Sequence, residues 1–204
     1  MNEDKAIAIL KNSIGYSDID INKLEIFRKS LLNYNNTYNL ISKSTVSSVW
    51  SRHILDSAQL LKYFDINQKA ILADFGTGAG FPGIVISIFN KNPEFHVKLY
   101  EKSPVKRRFL LNISEKLNLR VEILENVNDD KINADIIVCR AFKKLDEIVK
   151  ISRETVKKPH KLIILKGKNA QEEINNVSLG SNYSYKLKNS ITNIDSKIII
   201  MDAK

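Results

Sequence analysis

The stretch Ala73-Asp74-Phe75-Gly76-Thr77-Gly78-Ala79-Gly80-Phe81-Pro82-Gly83 constrains the fold of this chain more than any other. It follows the apolar run Ala70–Phe75 and opens another, Gly83–Phe89, and so reads as strand, glycine turn and helix. In an α/β sheet that position, at the carboxyl end of a strand, is where ligands bind. Glycine there permits a left-handed backbone and lets main-chain amides approach a ligand that side chains would hold off. Packing alone is the plainer explanation of such a turn. The density of glycines, at 76, 78, 80 and 83, argues against it.

Downstream, short apolar runs alternate with amphipathic stretches. Strands are expected at Ala70–Phe75, His96–Tyr100, Arg120–Leu124, Asp135–Cys139, Lys161–Lys166, Ser184–Leu187 and Lys197–Met201. Helices are expected at Gly83–Phe89, Pro104–Leu117, Leu145–Val156 and Ala170–Asn176. Strand–helix alternation implies a parallel sheet covered on both faces, a Rossmann-like α/β domain over residues 67–204. The last two strands have no long helix between them and should pair as an antiparallel hairpin at one edge. Residues 1–66 carry helical spacing instead, with Leu24, Phe27, Leu31 and Leu32 recurring at three and four. They read as a helical extension that forms one compact unit with the sheet.

The chain has 204 residues, enough for one such domain with its extension. Met1–Lys5 is polar and Ala6–Leu10 is too short for a signal-peptide core, and no run approaches the length of a membrane span. The single cysteine, Cys139, excludes an internal disulfide and a multi-cysteine zinc site. The expectation is a cytoplasmic protein with neither membrane nor metal partner. A net charge of +9 favours a polyanionic partner such as nucleic acid, although a chain this rich in Lys, Asn and Ile gains lysines without functional pressure.

A dinucleotide fingerprint, G-x-G-x-x-G, fits the loop poorly, since the sixth position from Gly76 is Phe81. Asp74, two residues before the first glycine, would repel a pyrophosphate. It suits a ligand with a cationic ammonium and sulfonium. Asp74-x-Gly76-x-Gly78 is thus the pattern expected for S-adenosylmethionine. Glu101, at the end of the second strand, is placed to accept ribose hydroxyls, or is a solvated strand-end carboxylate. Lys106-Arg107-Arg108 crowd cations into the start of a helix, against its dipole, so they serve either an external anion or a plain solvated face.

The methyl acceptor is narrowed by what is absent. After the fourth strand the chain reads Cys139-Arg140-Ala141-Phe142 rather than the Asn/Asp-Pro-Pro-aromatic loop used on exocyclic amines. Cys139 falls in an apolar strand and reads as a buried structural thiol rather than a nucleophile. An acceptor with its own lone pair, such as guanine N7, needs no base. Arg140 and Lys166 would then position it, since guanine O6 and N7 are acceptors suited to Arg and Lys.

These residues, together with Tyr38-Asn39-Leu40-Ile41-Ser42, Arg52-His53-Ile54-Leu55-Asp56-Ser57, Lys106-Arg107-Arg108-Phe109-Leu110 and Leu165-Lys166-Gly167, give a resemblance over nearly the whole length. The chain resembles the bacterial small-subunit ribosomal RNA guanine-N7 methyltransferases, the glucose-inhibited division protein B family. The resemblance implies methyl transfer from S-adenosylmethionine to N7 of guanine 527, in the 530 loop of 16S ribosomal RNA, as naked RNA or within the 30S subunit. It assigns cofactor contacts to Gly76, Phe81, Arg140 and the segment Val127-Asn128-Asp129. Relatives read approximately Arg-x-Glu in that segment, so here the arginine is missing, Asp129 stands in for the glutamate, and the amides of Asn128 and Asp129 are left to serve. Asn39 and Ser42 read as a helix C-cap and N-cap. His53 and Asp56, one helical turn apart, either pair with each other, fasten the helical extension near the cofactor pocket or contact RNA directly. One rival is a catalytically silent, RNA-binding ribosome assembly factor on the same fold. Another is a methyltransferase acting on a small molecule or a protein.

Overall fold

A computed structural model describes residues 1–128 and 131–204. Its centre is a seven-stranded sheet of β1 (Ala70–Phe75), β2 (Phe95–Tyr100), β3 (Val121–Leu124), β4 (Ile136–Arg140), β5 (His160–Lys166), β6 (Tyr183–Asn189) and β7 (Lys197–Ala203). The order across the sheet is β3-β2-β1-β4-β5-β7-β6. β1 pairs in parallel with β2 on one side and β4 on the other, so the order reverses at its carboxyl end. β7 alone runs antiparallel, wedged between β5 and β6. The expected terminal hairpin is there. Both its strands are longer than their apolar runs suggest, because they pair from Tyr183↔Ala203 to Asn189↔Lys197.

Alternation along the strands explains the layers. Ile136 and Val138 of β4, Ile163 and Leu165 of β5, and Ile198 and Ile200 of β7 face one apolar cluster. Their neighbours Ile137, Cys139, Leu162, Ile164, Ile199 and Met201 face the other. The first face is covered by α1 (Glu3–Ile9), α2 (Asp18–Asn35), the short α3 (Asp56–Ala58) with its flanking helical turns, α4 (Gly83–Phe89) and α5 (Pro104–Lys116). The second is covered by α6 (Leu145–Thr155) and α7 (Ala170–Asn176). No described helix is long and apolar enough to cross a membrane.

Residues 1–66 therefore share a core with one face of the sheet. Phe27 of α2 is fully buried, with its ring 5.2 Å from Phe81 and 6.2 Å from Phe109. Tyr16 donates its hydroxyl to the Val85 carbonyl of α4 at 2.9 Å, and Lys91, just past α4, pairs with Asp20 of α2. α2 starts in a reciprocal capping box between Ser17 and Asp20. It ends at Asn36 rather than near Asn39, because the Asn35 side chain accepts the Leu40 and Ile41 amides and turns the chain out of the helix. Ser42 does precede a helical turn, Lys43–Ser48, but its hydroxyl meets Ser44 and Thr45 instead of capping it.

Phe27→Ala removes the ring that joins the extension to the glycine-loop side of the sheet. It should cost about 3–5 kcal/mol, as for other buried aromatic truncations. Urea unfolding followed by far-UV circular dichroism checks this.

Candidate functional site

The reversal of strand order at β1 opens a cavity of about 320 Å³ at the carboxyl edge of the sheet. Its walls come from the loop after β1 (Gly76 to Phe81), Glu101 past β2, Lys106 of α5, and Arg140, Ala141 and Phe142 at the end of β4. Leu40, Ile41 and His53 of the helical extension close the remaining side. Of the residues expected at a cofactor site, Gly76, Gly78, Phe81, Glu101 and Arg140 thus line one cavity. Asp74 and Asn128 do not, and Asp129 lies outside the described residues.

The glycines differ in what they are for. Gly76 and Gly78 both have left-handed backbones, φ +68° and +61°. At Gly76 a Cβ would sit 2.2 Å from Phe142 Cδ2, so the Phe142 ring lies directly on the loop backbone. At Gly78 the nearest atom to a Cβ is the Gly76 carbonyl oxygen at 3.9 Å, and the space in front is the cavity. A side chain at Gly78 would occupy the place of a ligand.

Asp74 is fully buried beneath the loop. Its Oδ2 accepts the Gly83 amide at 2.7 Å, which ties the strand end to the start of α4. Its Oδ1 and the nearby Thr77 hydroxyl are buried without a partner of full hydrogen-bonding geometry among the described residues. Burial pushes the carboxyl up to about 7; the Thr77 hydroxyl and Gly83 amide pull it down, and the Glu101 carboxylate adds to the rise. Asp74 therefore lies beneath the loop and outside the cavity wall. Glu101 accepts the Gly78 amide at 2.9 Å with one oxygen and the Ser103 amide at 2.8 Å with the other. Each oxygen keeps a further lone pair.

Arg140 is the pivot of the site. Its guanidinium meets His53 Nδ1 at 3.0 Å, the Arg52 carbonyl at 2.9 Å and Asp56 Oδ2 at 3.4 Å, and lies over the Phe81 ring. Burial lowers its affinity for the proton, and Asp56 opposes that. Burial, then the charges of Arg140 and Arg52, press His53 down to about 3, so the imidazole is neutral. Arginine can only donate, so Nδ1 must accept and Nε2 must carry the proton. Nε2–H then donates to Thr45 Oγ1 at 2.8 Å, and Thr45 donates on to the Ser42 carbonyl at 2.9 Å. His53 and Asp56 do not pair with each other; both hold Arg140. Asp56 Oδ1 also accepts from Gln59 at 2.9 Å and from Thr192 at 2.6 Å, binding the extension to the β6–β7 loop.

Other expected residues are placed elsewhere. Lys166 donates to the Lys143 carbonyl and to Glu173, at 2.6 and 2.7 Å, on the wall of a second, smaller cavity. Asn128 borders a separate depression with Lys102, Lys131 and Lys150. In the basic cluster at the start of α5, Lys106 faces the glycine-loop cavity, whereas Arg107 turns inward to the carbonyls of Glu101 and Lys102 and to Glu125. Cys139 is fully buried, and burial raises its thiol well above the ordinary value, which removes it as a nucleophile. Among the described residues no three His, Cys, Asp or Glu side chains cluster as metal ligands. Sequence reading missed Thr77, Ala141 and Phe142 as parts of the pocket. Only their nearness to the loop and to Arg140 in the chain signals them.

Residues 20–198 match the family described as rRNA small subunit methyltransferase G. Curated relatives carry the name "Ribosomal RNA small subunit methyltransferase G". One from Orientia tsutsugamushi (strain Ikeda) is 39% identical over 181 residues, covering 87% of this chain and 88% of its own. One from Rickettsia felis is 38% identical over 180 residues, covering 88% and 91%. Among solved structures, a SAM dependent methyltransferase from Aquifex aeolicus superposes with a TM-score of 0.60 at 16% identity, over 83% of this chain and 97% of that one. Aeropyrum pernix fibrillarin, with natively bound S-adenosyl-L-methionine, superposes at 0.57 and 12% identity, over 74% and 75%. At such identities the structural likeness is one of fold, the Rossmann-like fold of methyltransferases.

The loop geometry separates two substitutions of the same kind. Gly78→Ala carries only left-handed strain and should cost about 1–2 kcal/mol. Gly76→Ala must also dislodge the Phe142 ring and should cost about 1–3 kcal/mol more. Urea midpoints of the two variants, measured side by side, check the difference.

Proposed function

Because the chain belongs to the rRNA small subunit methyltransferase G family, we propose that it transfers a methyl group from S-adenosylmethionine to N7 of guanine 527, in the 530 loop of 16S ribosomal RNA. The observation that carries this reading is a cavity of mixed charge at the carboxyl edge of the sheet. Glu101 lines it together with Lys106 and Arg140, a mixture of charges that suits a ligand carrying an ammonium, a sulfonium and a carboxylate. The buried, half-satisfied Asp74 adds negative potential under the loop. The open face of Gly78 leaves room for the ligand against the backbone.

When bound, S-adenosylmethionine supplies a methyl group that an acceptor lone pair takes, the carbon–sulfur electron pair staying on sulfur. The residues of this chain bind and orient. Glu101 accepts ribose hydroxyls on its spare lone pairs, and Arg140 and Lys106 hold the carboxylate. Leu40, Ile41 and Phe142 exclude water from one side of the cavity. Neither His53, whose nitrogens are both engaged, nor the buried Cys139 can serve as base or nucleophile. An acceptor such as guanine N7, whose lone pair needs no deprotonation, asks for alignment alone, and alignment can be worth about 7–11 kcal/mol.

The test is incubation with labelled S-adenosylmethionine and 30S subunits or 16S RNA from a strain lacking its own enzyme. Label mapping to N7 of that guanine supports the reading. Intact cofactor binding with label at another atom or in no RNA rejects the proposed acceptor.

Asp74 gives the site a pH dependence whose sign follows from its raised value. Its unfolded carboxyl titrates near about 3.9, so the fold favours the protonated form. Stability from this group is full below about pH 4 and is lost as pH rises through about 7. A cationic ligand favours the ionised form, so its affinity should climb about tenfold from pH 6 to 8. Asp74→Asn keeps an acceptor for Gly83 and should flatten that rise. Calorimetric titration of both proteins checks this, since the ligand's own titration is common to the two.

A further inference from the structure

One wall of the glycine-loop cavity is an irregular strip of chain. β4 ends at Arg140 and α6 begins at Leu145, and Ala141 and Phe142 in between both line the cavity. Ala141 has φ +49°, a conformation that residues other than glycine seldom adopt. The Phe142 ring lies on the Gly76 backbone and meets Phe75 edge-on at 6.2 Å. A strained backbone persists where its surroundings enforce it, so both ends of the strip must be held. Arg140 secures the first end through the helical extension. We propose that Glu173, on α7, secures the second and is a positioning residue for methyl transfer, acting through Lys166 and the Leu145 amide on the Ala141–Phe142 wall.

One carboxylate oxygen carries the arrangement. Glu173 Oε2 accepts the Leu145 amide at 2.7 Å and the Lys166 ammonium at 2.7 Å. The same ammonium donates to the Lys143 carbonyl at 2.6 Å. The backbone is thus gripped at Lys143 and at Leu145, just past Phe142. α6 has no capping side chain of its own, since Lys144 at its N-cap makes no such bond. Amides of a first helical turn lack partners within the helix, and the helix dipole favours a carboxylate beside them. Glu173 supplies that acceptor from a different helix.

Other contacts hold the strip less firmly. Lys143 pairs with Glu147 at 2.6 Å, but these side chains are 36% and 47% exposed, against 11% and 26% for Lys166 and Glu173. An exposed pair one helical turn apart contributes little. It also grips a side chain, whereas Lys166 grips the backbone. Glu173 stands on no wall of the glycine-loop cavity, so its influence on a ligand there passes through the strip. With the grip gone, Ala141 is free to leave its strained conformation and to carry the Phe142 ring off Gly76. A ligand must then reorder that wall as it binds, and affinity falls. The inference rests on reading the glycine-loop cavity as the S-adenosylmethionine site and is independent of which RNA atom is methylated.

Glu173→Ala removes the acceptor, Lys166→Met removes the ammonium, and the double variant removes both. Glu172→Ala, at an exposed neighbour on α7, removes the same charge and leaves the Leu145 and Lys166 bonds in place. Calorimetry, at a temperature where circular dichroism shows each variant folded, gives S-adenosylmethionine affinity; turnover on 30S subunits gives KM and kcat. Glu173→Ala and Lys166→Met should each weaken donor binding about tenfold, with the double variant no weaker than either, as for residues acting as one unit. In Glu173→Ala the KM for S-adenosylmethionine should rise in step while kcat at saturating donor stays within about threefold. Glu172→Ala should bind as the parent does. Parental donor affinity with a lowered melting temperature in Glu173→Ala makes the residue structural only and overturns the inference. An equal loss in Glu172→Ala traces the effect to net charge and also overturns it. If Glu173→Ala does not fold, Lys166→Met carries the test, and parental donor affinity there is the overturning result. Gly78→Leu, which fills the cavity directly, separates the two ways of failing. Parental donor affinity in that variant rejects the cavity as the donor site, whereas affinity lost there but kept in Glu173→Ala rejects the role of Glu173 alone.

Discussion

A half-buried arginine holds this site together. Arg140 ends β4, and a guanidinium partly withdrawn from water loses hydration that partners must make good. The match comes from another part of the chain: Asp56, the Arg52 carbonyl and His53 all belong to the helical extension. The sheet end is incomplete without those helices, and the helices gain their polar anchor from the sheet. The same contacts align the walls of two adjoining cavities. Architecture and site are thereby secured by one set of interactions.

His53 shows how context decides the role of a titratable group. An exposed histidine in a basic protein would titrate near neutrality. Here burial and two neighbouring arginines keep it neutral, fix its tautomer and turn it into a link from Arg140 to Thr45. Its work is mechanical. Charging it would add a third cation beside Asp56, a carboxylate already shared among Gln59, Ser190, Thr192 and Arg140.

Asp74 shows the opposite balance, a carboxyl held where burial disfavours its charge. A carboxyl buried with one oxygen unmatched is unfavourable in the empty site. The same carboxylate would strengthen the attraction for a cation bound above the loop, as the proposed methyl donor requires. The glycine loop supports this arrangement twice: the Gly83 amide steadies Asp74 from below, and Gly78 leaves the ligand side clear. Phe142 packs on Gly76 and joins the end of β4 to the loop after β1, so the two halves of the cavity rim are in contact.

The sequence by itself determined the elements and the chemistry at their tips. Strand β1 and helices α4 and α7 stand where periodicity placed them, because alternation and glycine punctuation are local signals. Gly76, Gly78, Phe81, Glu101 and Arg140 could be read as neighbours because each ends or follows a strand, and a parallel sheet gathers strand ends at one edge. Tertiary structure alone decided what spacing cannot encode. The spacing of His53 and Asp56, a helical turn apart, leaves open whether they pair or fasten the extension; an arginine more than eighty positions away takes both. Lys166 is tied to Glu173, Asn128 lies away from the glycine-loop cavity, and Asp74 works beneath the loop rather than in it. Local pattern fixes where a side chain starts. Its partner is chosen by burial, which penalises any charge left unmatched and brings together residues that the chain keeps far apart.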